Sequence, residues 1–248
     1  MRRVWIPTFT GRKFPMDTSM IHADLVDPFD IAHGLALTCR FGGQCRTFYS
    51  MAEHSVRVMR QVQRIRDTPS PNAKHSWLQQ ALLYDAVTVY MVSIADLLGD
   101  QPNPLSFFEE YETAILDAIT LRFKLDHSLN DLYPEVHNAA LMLLLTEQRD
   151  LFDHEMWGSV TPAKRLERRI VPWHAELAEA VFLREMLRMG LIEREIAEVA
   201  EGRIQELWPT YSGLNRALCP RCGSESLVWD DHEADCAMCA VRCGLAQL

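Results

Sequence analysis

Four cysteines near the end of the chain are spaced to hold a metal ion. Cys219-Pro-Arg-Cys222 and Cys236-Ala-Met-Cys239 are two C-x-x-C pairs separated by thirteen residues. A two-residue spacer lets both thiolates of a pair reach one ion at about 2.3 Å, and two pairs complete a tetrahedron around zinc. Four thiolates leave no position for water, so the implied zinc is structural and not catalytic. Cys243 and His232 are surplus donors: either they are bystanders, or one of them serves as a ligand, Cys243 in place of Cys239 being one such arrangement. So short a segment cannot fold on an apolar core alone, and the metal supplies the missing stability.

A second group able to do chemistry lies in the helical part. Ser50 and Glu53 form a capping box, S-x-x-E, that starts a helix over 51–66. On it, His54 shares the inward stripe with Met51, Val58, Val62 and Ile65. Asp85 shares a stripe with Leu78, Leu82 and Val89 on a helix over 76–91. An imidazole and a carboxylate facing one interior are either a hydrogen-bonded buried pair or part of a ligand site.

Helical periodicity runs from about residue 30 to 208, without internal repeats or a convincing run of alternating strands. Asp30 is the expected cap of a helix reaching about Cys39 and stopped by Gly42-Gly43; further helices are expected over 107–123, 135–152, 162–170, 174–189 and 191–208. Thr161-Pro162 would be the cap and first position of the helix over 162–170, and Gly190 would stop the next. The breaks fall at DTPSPNAK (67–74) and GDQPNPLS (99–106). Beyond the linker PTYSGLNRAL, Val228 and Trp229 read as strand residues of a short hairpin between the cysteine pairs. The domain reading is a helical domain over 1–190, a connecting helix and linker over 191–212, and a zinc module over 213–248 that resembles a zinc ribbon.

Composition narrows the partners. The chain has 248 residues, 48% hydrophobic and 24% charged, enough for one substantial core and a small appendage. Its net charge of -9 repels a phosphate backbone, and the densest basic stretch, Lys164, Arg165, Arg168 and Arg169, has the i, i+4 spacing of one solvated helix face. In the cysteine module Arg216, Arg221 and Arg242 face Glu225, Asp230, Asp231, Glu233 and Asp235. That acidic balance favours protein contact or structural support over nucleic acid. The longest aliphatic run, Ala139 to Leu145, cannot cross a bilayer, and no apolar segment follows the N-terminal arginines, so no membrane partner and a cytoplasmic location are expected. Only Cys39 and Cys45 lie outside the metal module, which suits a reducing compartment.

The stretches WIPTFTGRKFPM (5–16), DIAHGLALTCRFGGQCRTFYSMAEHSV (30–56), ALLYDAVTVY (81–90) and YPEVHNAALMLLLTEQRDLF (133–152) together resemble the HD-domain phosphohydrolases of bacteria and phages, among them 5'-deoxynucleotidases and dNTP phosphohydrolases. The resemblance spans roughly residues 5–190 and implies an all-α HD-type domain. It also implies a divalent metal held by a histidine in A-E-H-S, an adjacent histidine and aspartate, and a later helical aspartate. His54 keeps the first position; the pair is Tyr84-Asp85, so only its aspartate remains; the later aspartate falls on Ala140, on a stripe with Val136, Leu143 and Leu144. Two acidic positions that assist catalysis fall on Thr88 and Ser93, and Gln44 stands where a histidine is usual.

With two strong ligands in place of four, no catalytic metal is expected. Three readings of the pocket follow. His54 and Asp85 are a satisfied core pair; or the pocket binds a nucleotide without hydrolysing it, through Arg40, Arg46, Tyr49 and Tyr84; or a displaced site draws on His22, Asp24, His33 and His137. The leading expectation is a catalytically silent HD-like protein, bacterial or phage, that binds a nucleotide or a protein partner. A working metal-dependent phosphohydrolase is the alternative. A scaffold built on the stripes Leu177/Ala180/Val181/Leu187 and Ile192/Ile196/Val199/Ile204 of the C-terminal helices is the third.

Overall fold

A computed structural model of the chain describes residues 5–65, 70–91, 103–153, 163–167 and 169–207, and the backbone of four strands within 216–244. The chain divides into two units, Met1–Ile204 and Gln205–Leu248. The first is helical. Strands β1 (Trp5–Pro7) and β2 (Lys13–Pro15) form a small antiparallel hairpin. Helices α1 (Pro28–Leu37), α2 (Met51–Gln63), α3 (Pro71–Leu83), α4 (Pro104–Arg122), α5 (Pro134–Leu151), α6 (Ala175–Arg188) and α7 (Arg194–Leu207) follow. None of the described helices is long and apolar enough to cross a membrane.

Helix α2 is the axis of the domain, packing on α1, α3, α5 and α6. Ten of its residues are buried, among them the polar Glu53, His54, Ser55 and Arg60. Ser50 caps it by accepting the Glu53 N–H at 3.0 Å. The Glu53 side chain spends its oxygens elsewhere, on Arg57 and the Trp173 N–H, so only half of the expected capping box is made.

Several boundaries differ from expectation for identifiable reasons. Asp27, not Asp30, caps α1 by accepting from the Phe29 N–H, and Pro28 opens the helix. Asp30 is freed to accept the N–H and hydroxyl of Thr10, which ties the N-terminal hairpin to α1. Helix α3 begins at Pro71 under a Ser70 cap and ends at Leu83, where Tyr84–Tyr90 tighten into a 3-10 turn. That turn holds three consecutive β-branched residues, Val87, Thr88 and Val89, which crowd an α-helix. It also passes so close to α1 that a Cβ on Gly34 would lie 2.6 Å from Val89 Cγ1.

The expected helix over 162–170 is absent from the described residues 163–167, 169 and 170. Side chains of α5 take the backbone groups a helix would use: Leu166 N–H donates to Thr146 Oγ1, Ile170 N–H to Asp150 Oδ2, and Arg149 donates to the Leu166 carbonyl. Lys164, Arg165 and Arg169 there do not form a helix face. Thr161-Pro162 lie outside the described residues.

In the second unit β3 (Arg216–Leu218), β4 (Glu225–Asp230), β5 (Glu233–Cys236) and β6 (Val241–Gly244) make one antiparallel sheet in chain order. This is a larger element than the expected single hairpin. Leu227 pairs with Asp235, and Ala234 with Cys243. Cys219, Cys222, Cys239 and His232 lie outside the described residues.

Candidate functional site

Helix α5 carries a carboxylate into the core beside α2. Glu147 is wholly buried and accepts three side chains. Oε1 accepts the Tyr49 hydroxyl at 2.9 Å and pairs with His54 Nδ1, while Oε2 accepts Arg40 Nε at 2.8 Å. The second ring nitrogen of His54, Nε2, lies 3.6 Å from Asp85 Oδ2. A line Glu147, His54, Asp85 therefore leads from the core outward, its side chains 0%, 2% and 13% exposed. Tyr84, 37% exposed, stands next to Asp85 at the surface.

Local structure explains each placement. The loop 40–49 is closed at its base by the Cys39–Ser50 bridge and by the Arg40 N–H donating to the Tyr49 carbonyl at 2.8 Å. That closure sets Arg40 and Tyr49 side by side above α2. Within the loop Phe41, Gly42 and Gly43 all have positive φ, at 57°, 60° and 78°. Glycine adopts this region freely, whereas Phe41 needs support, which it finds edge-on against Phe152 and beneath the Arg40 guanidinium. Thr88 closes the 3-10 turn by donating to the Asp85 carbonyl at 2.7 Å, and Ser55 Oγ approaches Asp85 at 3.4 Å.

The electrostatics follow from these contacts. Burial alone would push Glu147 up, but the His54 ring and then Arg40 outweigh it and hold the carboxyl below its ordinary range. Tyr49, buried against Glu147, is pushed well up and stays a neutral hydroxyl donor. Tyr84 is raised by burial and then by Asp85, with Arg40 acting in the opposite sense.

Arg40, Tyr49, His54, Asp85 and Tyr84 are thus gathered around Glu147. Tyr49 is enclosed, with its hydroxyl given to Glu147, so it positions the others instead of meeting a ligand. Arg46 is elsewhere, at the C-terminal end of α5, donating to Asp153 at 2.8 Å and to the Asp150 carbonyl. Ala140 stands on α5 two turns before Glu147 and is only partly buried. Ser93 is outside the described residues. Gln44, His22, Asp24 and His137 are exposed, and His33 is engaged by the buried Glu179 at 2.9 Å. No three His, Cys, Asp or Glu side chains converge as a metal site among the described residues.

Sequence reasoning missed Glu147. Its signal was helical phase: it lies seven residues after Ala140, on the inward stripe of α5, just beyond the aliphatic run Ala139–Leu145.

No protein-family model matches the chain. It is 32% identical over 139 residues to an uncharacterized protein of Rhodobacter capsulatus, an alignment covering 50% of this chain and 61% of that protein. It is also 29% identical over 147 residues to the uncharacterized protein YfdR of Escherichia coli K12, covering 59% of this chain and 72% of that one. The chain thus spans about three fifths of the Rhodobacter relative.

Proposed function

We propose that the helical unit is a catalytically silent relative of the HD-domain phosphohydrolases that binds a nucleotide at the Arg40, Tyr84 and Asp85 opening. The observation that carries this reading is the commitment of Glu147. Both its oxygens are taken by Tyr49, His54 and Arg40, so only His54 Nε2 and Asp85 are left to face an ion. A phenol and a methyl, Tyr84 and Ala140, stand where the resemblance would put two more ligands. Two donors do not fit a catalytic divalent metal.

The remaining chemistry suits recognition. Arg40 is anchored through Nε on Glu147 and rests Nη1 on Met51 Sδ at 3.8 Å, so a phosphate would be met through the Nη2 side of its planar fork. The Tyr84 hydroxyl is held as a neutral donor, and Asp85 is an acceptor for a sugar hydroxyl. The test is a thermal-shift panel of deoxynucleotides and cyclic nucleotides, since a ligand at 100 times its Kd stabilises by about 2.7 kcal/mol. A shift lost in Arg40→Gln and kept in Arg46→Ala is expected; no shift at millimolar ligand sinks the reading. Protein binding without nucleotide would then be the surviving form of the silent-relative idea.

One observation favours the working enzyme as a second reading. A histidine whose Nδ1 is fixed by a buried carboxylate is oriented as metal-ligating histidines are, and here Nε2 faces Asp85. Phosphate release from deoxynucleotides with manganese, cobalt or magnesium decides between the two. None is expected, and turnover abolished by Asp85→Ala would establish the enzyme.

For the C-terminal unit we propose a structural zinc ribbon. Pairing of β4 with β5 brings Glu225 and Cys236 to the same end of the hairpin, and the two C-x-x-C pairs flank those ends in sequence. Four cysteines are the donor set zinc prefers. Freshly purified reduced protein should contain one zinc per chain, and less than half an equivalent would overturn the assignment.

A further inference from the structure

The loop that presents Arg40 also brings two thiols together. Cys39 and Cys45 are both partly exposed, and their sulfurs lie 3.9 Å apart. The backbone creates this approach. Phe41, Gly42 and Gly43 turn the chain through left-handed conformations, and the Cys39–Ser50 bridge holds the near end while the Arg46 N–H, donating to the Leu151 carbonyl at 3.0 Å, holds the far end. Cys45 Sγ donates to the Thr47 carbonyl at 3.1 Å. Unlike the cysteines of the C-terminal module, these two have no metal-ligand spacing.

We infer that Cys39 and Cys45 are a reversible disulfide site that controls the setting of Arg40 against Glu147. The oxidant is a low-molecular-weight disulfide of the glutathione type. The Cys39 thiolate attacks one of its sulfurs, forming a mixed disulfide and releasing one small thiol. The Cys45 thiolate then attacks Cys39 Sγ, forming the internal bond and releasing the second small thiol. Two protein thiols are oxidised, one small disulfide is reduced to two thiols, and the two protons pass to the leaving thiolates. First attack is assigned to Cys39 because burial and then the neighbouring Cys39 hold the Cys45 thiol above its ordinary value.

Bond formation draws the sulfurs to about 2.05 Å. Only five residues separate the two cysteines, and Arg40 is the first of them. The closing loop must therefore move the backbone from which Arg40 reaches Glu147, and it breaks the Cys45 bond to Thr47. His54 shares Glu147 with Arg40, so the change is transmitted to its ring.

The test uses the full-length, zinc-replete chain treated with glutathione disulfide, alkylated and digested with trypsin. Cleavage after Lys13, Arg40 and Arg46 puts the two cysteines on different peptides, 14–40 and 41–46. A linked pair of these peptides is expected in treated protein, absent after dithiothreitol and absent in Cys39→Ser and Cys45→Ser. In histidine-labelled protein the His54 ring ¹⁵N signals should shift on oxidation, and stay still in Cys45→Ser. Capture of the two thiols only as separate glutathione adducts, or a linked pair that leaves His54 unmoved, overturns the inference.

Discussion

Two glutamates are sealed into the same helical unit, and the protein holds them in opposite electrostatic states. Glu147 receives a cation, an imidazole and a phenol, and its carboxyl is held below the ordinary range. Glu53, on α2 next to His54, receives Arg57 at 2.8 Å and the Trp173 N–H at 2.7 Å, yet burial pushes it up to about 7. Burial penalises both. The difference lies in how many charged partners answer it, and in where the centres open. The Glu147 centre leads through His54 and Asp85 towards the surface. Arg57, by contrast, lies over the Trp173 ring and donates to the Val171 carbonyl, which joins α2 to the segment before α6.

The largest expected effect is at the first centre. Glu147→Gln leaves the buried His54 ring and the partly exposed Arg40 guanidinium without their carboxylate, and should cost about 3–5 kcal/mol by urea unfolding. A loss under about 1 kcal/mol would show that the two centres are equivalent. At the second centre Glu53→Gln keeps an acceptor for Trp173 and removes a charge that is poorly tolerated, so at pH 8 it should cost no more than about 1 kcal/mol.

Their pH signatures oppose each other. Folded protein keeps the Glu53 proton between its unfolded value of 4.5 and about 7, so stability from this group falls as pH rises through that window. Glu147, being lowered, contributes stability above 4.5 that disappears as pH falls towards its folded value. Glu53→Gln should flatten the neutral slope and leave the acid limb; the reverse pattern would exchange the roles assigned to the two groups.

Smaller effects test the frame around the first centre. Gly34→Ala must displace the stiff Val89 that seats the Asp85 turn, and overpacking of this kind costs about 1–3 kcal/mol, less the roughly 1 kcal/mol that alanine contributes to a helix. No loss on thermal denaturation would mean that the turn yields easily. Arg46→Ala breaks only an exposed ion pair and an end contact, and should stay within about 1 kcal/mol.

The helical class and most elements were legible because apolar periodicity and caps such as Ser50 are local signals. Helix phase marked His54 as inward, and it lies 3.6 Å from Asp85, although Asp85 sits on a 3-10 turn and not on the expected helix, and Tyr84 beside it is exposed. Glu147 was not found because a glutamate is ordinarily read as solvated, and only its three partners, from residues about 100 positions away, make its burial tolerable. The segment 163–170 misled for a related reason. Its helical spacing was overridden by hydrogen bonds to Thr146 and Asp150 and from Arg149, which no local window contains. The 3-10 turn at Tyr84–Tyr90 broke an expected helix where packing against Gly34 and a β-branched run act together.

That bonded yet non-helical segment has a consequence for handling by proteases. Lys164, Arg165 and Arg169 are three exposed trypsin targets in non-helical chain, but Leu166 and Ile170 are fastened by α5. Cleavage there must wait for those bonds to open, so its rate in native protein reports how often the strap lifts from α5. Thr146→Val, which removes the acceptor for the Leu166 N–H, should convert a slow cut into a fast one before any global unfolding is seen.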